Sequence, residues 1–425
     1  VPRLEVDIEM TRTPRHLEVC VVRVAGILST PTLQEFRAGL REVVDRKRDV
    51  ILSLEGVSYV NSSGLAEIVR LSDDLQQQNV LLILVELDRE VRRLLQMLGL
   101  HNVLHVFDTV EEATEFLDSD VRSAPAAQRA EPETAQQIRR GVFVPQVAPP
   151  PPLLPNARVV LAVGGDVHFP RFLTLSLTGM EGSTHLVRTP DEARTAMAEG
   201  KCDLVFVDTT LPEAGRLVAD FKTTLSNGLH SVIEIRPRDY EPSPKTACRV
   251  RQDEFLVEPF EVREAVVLAE SEFARCDEQS MLIEQEATLE IGMKDDAVSE
   301  ANDLLEAMLS AAGLETDVSE SFYYGVREAI DNARRHGNRN DPNKVVTVEY
   351  ILDREKVTVT VTDEGPGFDF RAALREATDR SPVEQVRARA AADIEGGLGI
   401  GLMLRCCDRV EYSAPGNSLR LTKYR

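Results

Sequence analysis

Glu328-Ala-Ile-Asp-Asn332-Ala-Arg-Arg-His336-Gly337 is the stretch from which the rest of the chain can be read. It continues a helical pattern in which Phe322, Val326, Ala329 and Ile330 keep the three-to-four spacing of a buried stripe. Glu328 and Asn332 are four apart, so their side chains leave the same face. A carboxylate and an amide beside apolar packing suit a polar object such as a nucleotide with Mg²⁺, a cation that takes oxygen ligands and keeps several waters. Taken alone, the pair reads equally well as a solvated Glu and Asn on an ordinary helix.

Two further stretches bear on that choice. Val357-Thr-Val-Thr-Val361-Thr-Asp363-Glu-Gly365-Pro-Gly367-Phe368 is a period-two strand running into a glycine turn. Asp363 at its end can accept a hydrogen bond from an exocyclic amine such as that of adenine, and glycines allow close approach of the backbone. Gly396-Gly397-Leu-Gly399-Ile-Gly401 opens an apolar helix, and backbone N–H groups at such an opening attract anions. Either glycine motif alone is usually a turn. All three in this order and spacing point to a nucleotide site.

On these boxes, residues 288–425 resemble the GHKL (Bergerat-fold) ATPases, and within them the anti-sigma-factor serine kinases. The resemblance implies an α/β sandwich binding ATP and Mg²⁺. Glu328 would be the general base, Asn332 the Mg²⁺ ligand and Asp363 the adenine anchor. Gly365, Gly367, Gly397, Gly399 and Gly401 would shape the pocket, and 369–395 would be a short charged lid. Histidine kinases share the boxes but need a phosphoacceptor His on a dimerising helix, and the helical run expected over Glu261–Glu286 has none.

Composition bounds the rest. A chain of 425 residues suggests two to four domains, and 43% hydrophobic residues with 5% aromatics and no Trp suit aliphatic α/β cores. The net charge of −22 weighs against nucleic-acid or acidic-membrane binding and leaves room for a basic protein partner. Cys20, Cys202, Cys248, Cys276, Cys406 and Cys407 show no CxxC spacing and read as buried thiols in a reducing compartment. No apolar run approaches a membrane span and no signal-peptide pattern opens the chain, so the expectation is a cytoplasmic protein.

Strands and helices alternate from Leu4 to Leu117, and Asn61-Ser62-Ser63-Gly64 lies where a strand turns into a helix. The local reading of Asn61 and Ser62 is an N-cap. Residues 1–118 resemble the STAS domain of anti-sigma-factor antagonists, an α/β sheet. Their Asp-Ser-Ser/Thr-Gly motif carries the serine phosphorylated by a partner kinase. The resemblance makes Ser62 the phosphoacceptor, with Asn61 replacing the usual Asp and removing one negative charge.

Residues 119–155 read as a Pro-rich linker, extended and semi-rigid. Residues 156–277 resemble a response-regulator receiver, a doubly wound α/β domain with Asp208 at the phosphoacceptor position. The acidic pair after its first strand reads Gly164-Gly165, with Asp166 nearby, and the usual lysine is Glu258. The expectation is a pseudo-receiver used for interaction. Residues 278–287 would continue a connecting helix able to dimerise.

The whole reads as an α/β and α+β multidomain switch: an ATP-dependent serine kinase fused to its antagonist-like STAS domain. Expected partners are a STAS-domain protein, a sigma factor and a second copy in a homodimer. The runner-up is a non-catalytic, ATP-gated scaffold; a histidine-kinase-type ATPase ranks below both.

Overall fold

The structure is a computed structural model that describes residues 4–13, 18–118, 158–164, 182–199, 202–224, 229, 231–241, 245–391 and 398–425. The expected linker, Gly165, Asp166, Gly396 and Gly397 lie outside the described residues. The chain divides into two compact units: Val1–Val142 with Asp369–Cys406, and Phe143–Phe368 with Cys407–Arg425.

The first unit opens with β1 (Leu4–Arg12), β2 (Glu18–Leu28), α1 (Leu33–Arg46), β3 (Val50–Val60), α2 (Ser62–Gln76), β4 (Leu82–Val85), α3 (Arg89–Met97), β5 (His105–Phe107) and α4 (Val110–Leu117). Strands β1 to β5 lie in sequence order in one sheet. The first pair is antiparallel and the others parallel. Parallel strands need both faces covered, and the residues comply. Val19, Val21, Ile51, Ile83 and Val85 pack with Phe116 of α4, while the alternate Cys20, Val22, Leu52 and Leu84 are also buried. Local capping fixes the helix starts: Asp88 accepts from the Val91 N–H and Thr109 from the Glu112 N–H.

The second unit begins with β6 (Arg158–Val163), β7 (Gly182–Val187), α5 (Pro190–Glu199), β8 (Leu204–Asp208), α6 (Ala214–Thr223), β9 (Ser231–Arg236), β10 (Cys248–Val250), β11 (Glu254–Val257) and α7 (Val262–Gln279). Five of these strands form a parallel sheet in the order β11-β9-β8-β6-β7. Counted within the domain this is 2-1-3-4-5, the flavodoxin-like doubly wound order.

β10 does not join that sheet. It pairs antiparallel with the first strand of the ATPase domain, Cys248 opposite Ile291 and Val250 opposite Leu289. Two boundaries therefore differ from the sequence reading. The middle domain contributes an edge strand to its neighbour, and α7 ends at Gln279, so residues 283–287 belong to a strand and not to a connecting helix. The alternation of Gln285, Ala287, Leu289 and Ile291 toward the core is a period of two.

The ATPase domain comprises β12 (Ile283–Ile291), α8 (Asp295–Ala311), α9 (Thr316–Asn332), β13 (Val346–Asp353), β14 (Lys356–Thr362), the inserted helices α10 (Phe370–Asp379), α11 (Pro382–Ala391) and α12 (Gly399–Cys406), then β15 (Arg409–Ser413) and β16 (Ser418–Tyr424). Its antiparallel sheet runs β10-β12-β13-β14-β16-β15. α8 packs on β12, and α9 on β14 and β16. Phe322, Val326 and Ile330 are fully buried, as the apolar stripe required. The inserted helices belong to the first unit. No helix among the described residues is long and apolar enough to cross a membrane.

Candidate active site

Helix α9 carries Glu328 and Asn332 one turn apart near its C-terminal end. Glu328 is buried and Asn332 half-buried. Directly after Asn332 the helix widens into a π turn over Ala333–Gly337, an irregularity common at functional sites. Ion pairs secure that turn: Arg334 with Asp295 at 2.8 Å and with Asp331 at 3.9 Å, and Arg335 with Asp331 at 3.3 Å.

The turn delivers Gly337 against the end of β14. A Cβ on Gly337 would run into the Asp363 carboxylate, and one on Gly365 would meet the Gly337 carbonyl oxygen. At Gly367 φ is +76° and a Cβ would strike the Pro415 carbonyl. These three glycines let the two boxes close on each other. Asp363 Oδ1 accepts the Gly365 N–H at 2.7 Å, and the Asp363 backbone exchanges hydrogen bonds with Asn417. A carboxylate has about four acceptor positions, so an adenine amine can still be taken. Burial pushes the Asp363 carboxyl above the ordinary range, against the Gly365 N–H and the Lys344 charge, which pull it back.

Tyr412 on β15 completes this side of the site. Its phenol is pushed up by burial first and by the Glu328 carboxylate second. Phe368 packs edge-on against it, ring centroids 5.4 Å apart. Nothing in the sequence marks Tyr412. Asn338 was equally unread, although it directly follows the Arg-His-Gly signature; it is 1% exposed and hydrogen-bonded to the Asp363 turn.

Two family models match the chain: "Histidine kinase-like ATPase domain" over residues 292–423 and "STAS domain" over residues 7–113. A serine-protein kinase RsbW of Listeria monocytogenes is 33% identical over 138 residues, 32% of this chain and 85% of that protein. The chain belongs to the RsbW serine-protein kinase family. The RsbW of Bacillus subtilis is 31% identical over 121 residues, 28% of this chain and 73% of its own length. In this member the ATPase domain follows a STAS domain and a doubly wound α/β domain. Among solved structures, a chemotaxis protein CheY4 of Vibrio cholerae matches with 14% identity and a TM-score of 0.24, over 27% of this chain and 98% of its own.

The residues fit an ATP site as a family member requires. The Asp363 turn and the Gly337 turn approach this closely because Gly337 and Gly365 carry no side chain. Among the described residues no group of three or more His, Cys, Asp or Glu forms a metal cage. A single Asn oxygen suits Mg²⁺, which keeps water and nucleotide phosphates as its other ligands. Gly399 and Gly401 open α12 and are both buried, leaving their backbone N–H groups at a helix start.

In the STAS domain, Asn61 is the N-cap of α2: its Oδ1 accepts the Gly64 N–H at 3.0 Å. Ser62 is therefore the first helical residue and is 5% exposed. Gly64 is required here, since a Cβ would meet the Leu28 carbonyl at 2.5 Å. Asp208 ends β8, and its Oδ1 accepts from the Thr210 backbone and hydroxyl at 2.9 and 2.6 Å. Glu258 is exposed. Arg236 at the end of β9 is paired with Glu234 and stacked on Phe255.

Proposed function

We propose that the chain is an ATP-dependent protein serine kinase of the partner-switching type that acts on a STAS-domain serine and through it controls a STAS protein or a sigma factor. The single observation that supports this reading most is the packing of α12, the glycine-opened helix of the kinase, on α2, the STAS helix that begins with Ser62, within one compact unit. Kinase box and candidate acceptor thus share a body.

ATP with Mg²⁺, when bound, supplies the phosphoryl group and neutralises its charge. Asp363 holds the base, and Asn332 offers its amide oxygen to the cation. Glu328 orients the serine hydroxyl and takes its proton, a contribution of about 10²–10⁴ in rate. The family resemblance assigns the N–H groups at Gly399 and Gly401 to the phosphates. Transfer joins the serine Oγ to the γ-phosphorus, releases ADP and leaves the hydroxyl proton on Glu328. The middle domain acts as an interaction module and not as a phosphoacceptor, because Glu258 stands where the family places a cation. Exposed Met281 and Leu282 offer a contact for a second copy of the chain.

The test is incubation with γ-labelled ATP and Mg²⁺ followed by phosphosite mass spectrometry. Wild type is expected to carry label on Ser62, and Ser62→Ala and Glu328→Ala none. Bound ATP with no label on Ser62 or on an added STAS protein would overturn the kinase reading in favour of an ATP-gated scaffold. The enclosure of Ser62 and the Asn at position 61 favour that second reading.

A further inference from the structure

Every residue of α2 from Ser62 to Val69 is buried, and so is its cap Asn61. A helix lying on a sheet normally buries one stripe, so burial on all sides needs an outer cover. α1 supplies part of it, with Arg37 bound through two nitrogens to Glu67 at 2.8 and 2.7 Å. The C-terminal part of the chain supplies more: α11 of the lid and α12 after it both pack on α2, and α12 also on α3.

The lid is fastened at the open end of α2. Arg387 of α11 donates through Nε and Nη2 to the two carboxylate oxygens of Asp73, at 2.8 and 2.7 Å. Such bidentate pairs fix geometry as well as adding energy. Val386 beside it is 4% exposed and lines the same cleft as Arg70, Asp73 and Gln77. Gln385 donates to the carbonyls of Ala377 and Arg380, tying α11 to the end of α10. The two lid helices are thereby coupled.

We propose that α2 of the STAS domain is the docking surface for this chain's own lid. The Asp73–Arg387 clasp and Val386 hold α11 on it, and Ser62 stays enclosed until the clasp opens. A second STAS domain that engages the lid must displace the tethered one. The tethered domain has the advantage of an effective concentration on the order of mM for short linkers. The docking stands on the contacts alone; its consequence for Ser62 rests on the serine-kinase reading above.

The test is amide hydrogen exchange by mass spectrometry on the full chain, read over residues 61–69 and 382–391. Asp73→Arg and Arg387→Asp should each speed exchange in both segments about two- to tenfold, the range set by a partly exposed pair turned repulsive. The double swap Asp73→Arg/Arg387→Asp should restore the wild-type rates. Val386→Asp should speed exchange without rescue by the swap. Unchanged exchange in both single reversals overturns the proposal. Should a single reversal unfold the domain, native exchange in the double swap supports it, and an unfolded double swap overturns it. Labelling of Ser62 is followed in parallel. Exchange that responds to the swap without any label sinks the kinase reading and keeps the clasp. Label with exchange indifferent to the swap does the reverse.

Discussion

The Glu364 N–H donates to Asn338 Oδ1 at 2.8 Å, and this one bond joins the end of the Glu328 helix to the turn that presents Asp363. Asn338 also donates through Nδ2 to the Val345 carbonyl at 2.8 Å. Glu364 answers by accepting the Val345 N–H on Oε1 and the Lys344 ammonium on its carbonyl. Three loop segments are thus held around one buried amide.

Asn338→Ala should lower the stability of the ATPase domain by about 1–3 kcal/mol, the cost of leaving buried polar groups unpaired. It should also weaken ATP binding, because the Asp363 turn loses its tie to α9. Denaturant unfolding and calorimetric titration with ATP read the two effects separately. Loss of stability with unchanged ATP affinity would confine Asn338 to a role in the fold.

Asp363 gives the site a defined pH dependence. Its carboxyl is raised by burial, so the folded protein favours the protonated form. The stability this group contributes is full below the ordinary Asp range and is lost as pH climbs through the raised value. At neutral pH the ionised group therefore costs the fold something. Asp363→Asn keeps an oxygen for the Gly365 N–H and removes the charge. It should raise the unfolding temperature at neutral pH, lose that advantage in acid, and bind ATP poorly. Wild-type ATP affinity should start to fall, on acidification, above the pH at which an ordinary Asp protonates.

Much of this site was legible because its chemistry is local. Glu328 and Asn332 are one turn apart on a helix whose stripe is visible in the sequence, and the glycines beside Asp363 sit in the same short turn. What stayed hidden depends on partners far along the chain. Tyr412 feels the charge of Glu328 although it lies on β15, the edge strand beside β16 and far along the chain. The strand β10 is three residues long, too short for a period, and it pairs with a neighbouring domain. The helices of the short charged lid are not marked in the sequence because α11 buries Gln385 and Val386 against other segments and leaves no apolar stripe of its own.

Gly292 tests the β10 graft. Its N–H donates to the Ala247 carbonyl at 3.1 Å, and a Cβ would run into the Lys245 carbonyl and lie 2.7 Å from Thr246 Cα. Backbone cannot yield as a side chain can, so Gly292→Ala should separate β10 from β12. Overpacking of this kind costs about 1–3 kcal/mol. Amide exchange at residues 248–250 and 289–291 should rise together. A rise confined to 248–250 would mean that β12 does not need its edge strand.

Glu328→Gln should keep ATP bound while cutting phosphotransfer by about 10²–10⁴, the range for a positioned proton acceptor. The amide retains the shape of the side chain but does not take a proton. Equal loss of ATP affinity and transfer would instead make Glu328 a binding residue. Because its charge helps push the Tyr412 phenol up, the substitution should also lower the Tyr412 titration, visible in the ultraviolet spectrum at alkaline pH.

Arg275 and Lys222 share Asp253, and Arg275 holds two further carboxylates as well, which predicts unequal costs. Lys222, 3% exposed, pairs with this carboxylate at 3.0 Å. Asp253 keeps the Val232 N–H and Arg275 when Lys222 is removed. Arg275 serves Asp253, Glu272 and Glu286 together, so its loss removes a cation from acidic groups on α7, beside the edge of the middle sheet and on β12 at once. Breaking buried ion pairs by removing one partner costs about 3–5 kcal/mol. Arg275→Met should therefore approach that range and Lys222→Met fall below it, measured by urea unfolding of the two variants. The reverse order would place the weight of the network on the buried lysine, and the bond from Arg275 to Glu286 of β12 would then be incidental to holding the two domains of this unit together.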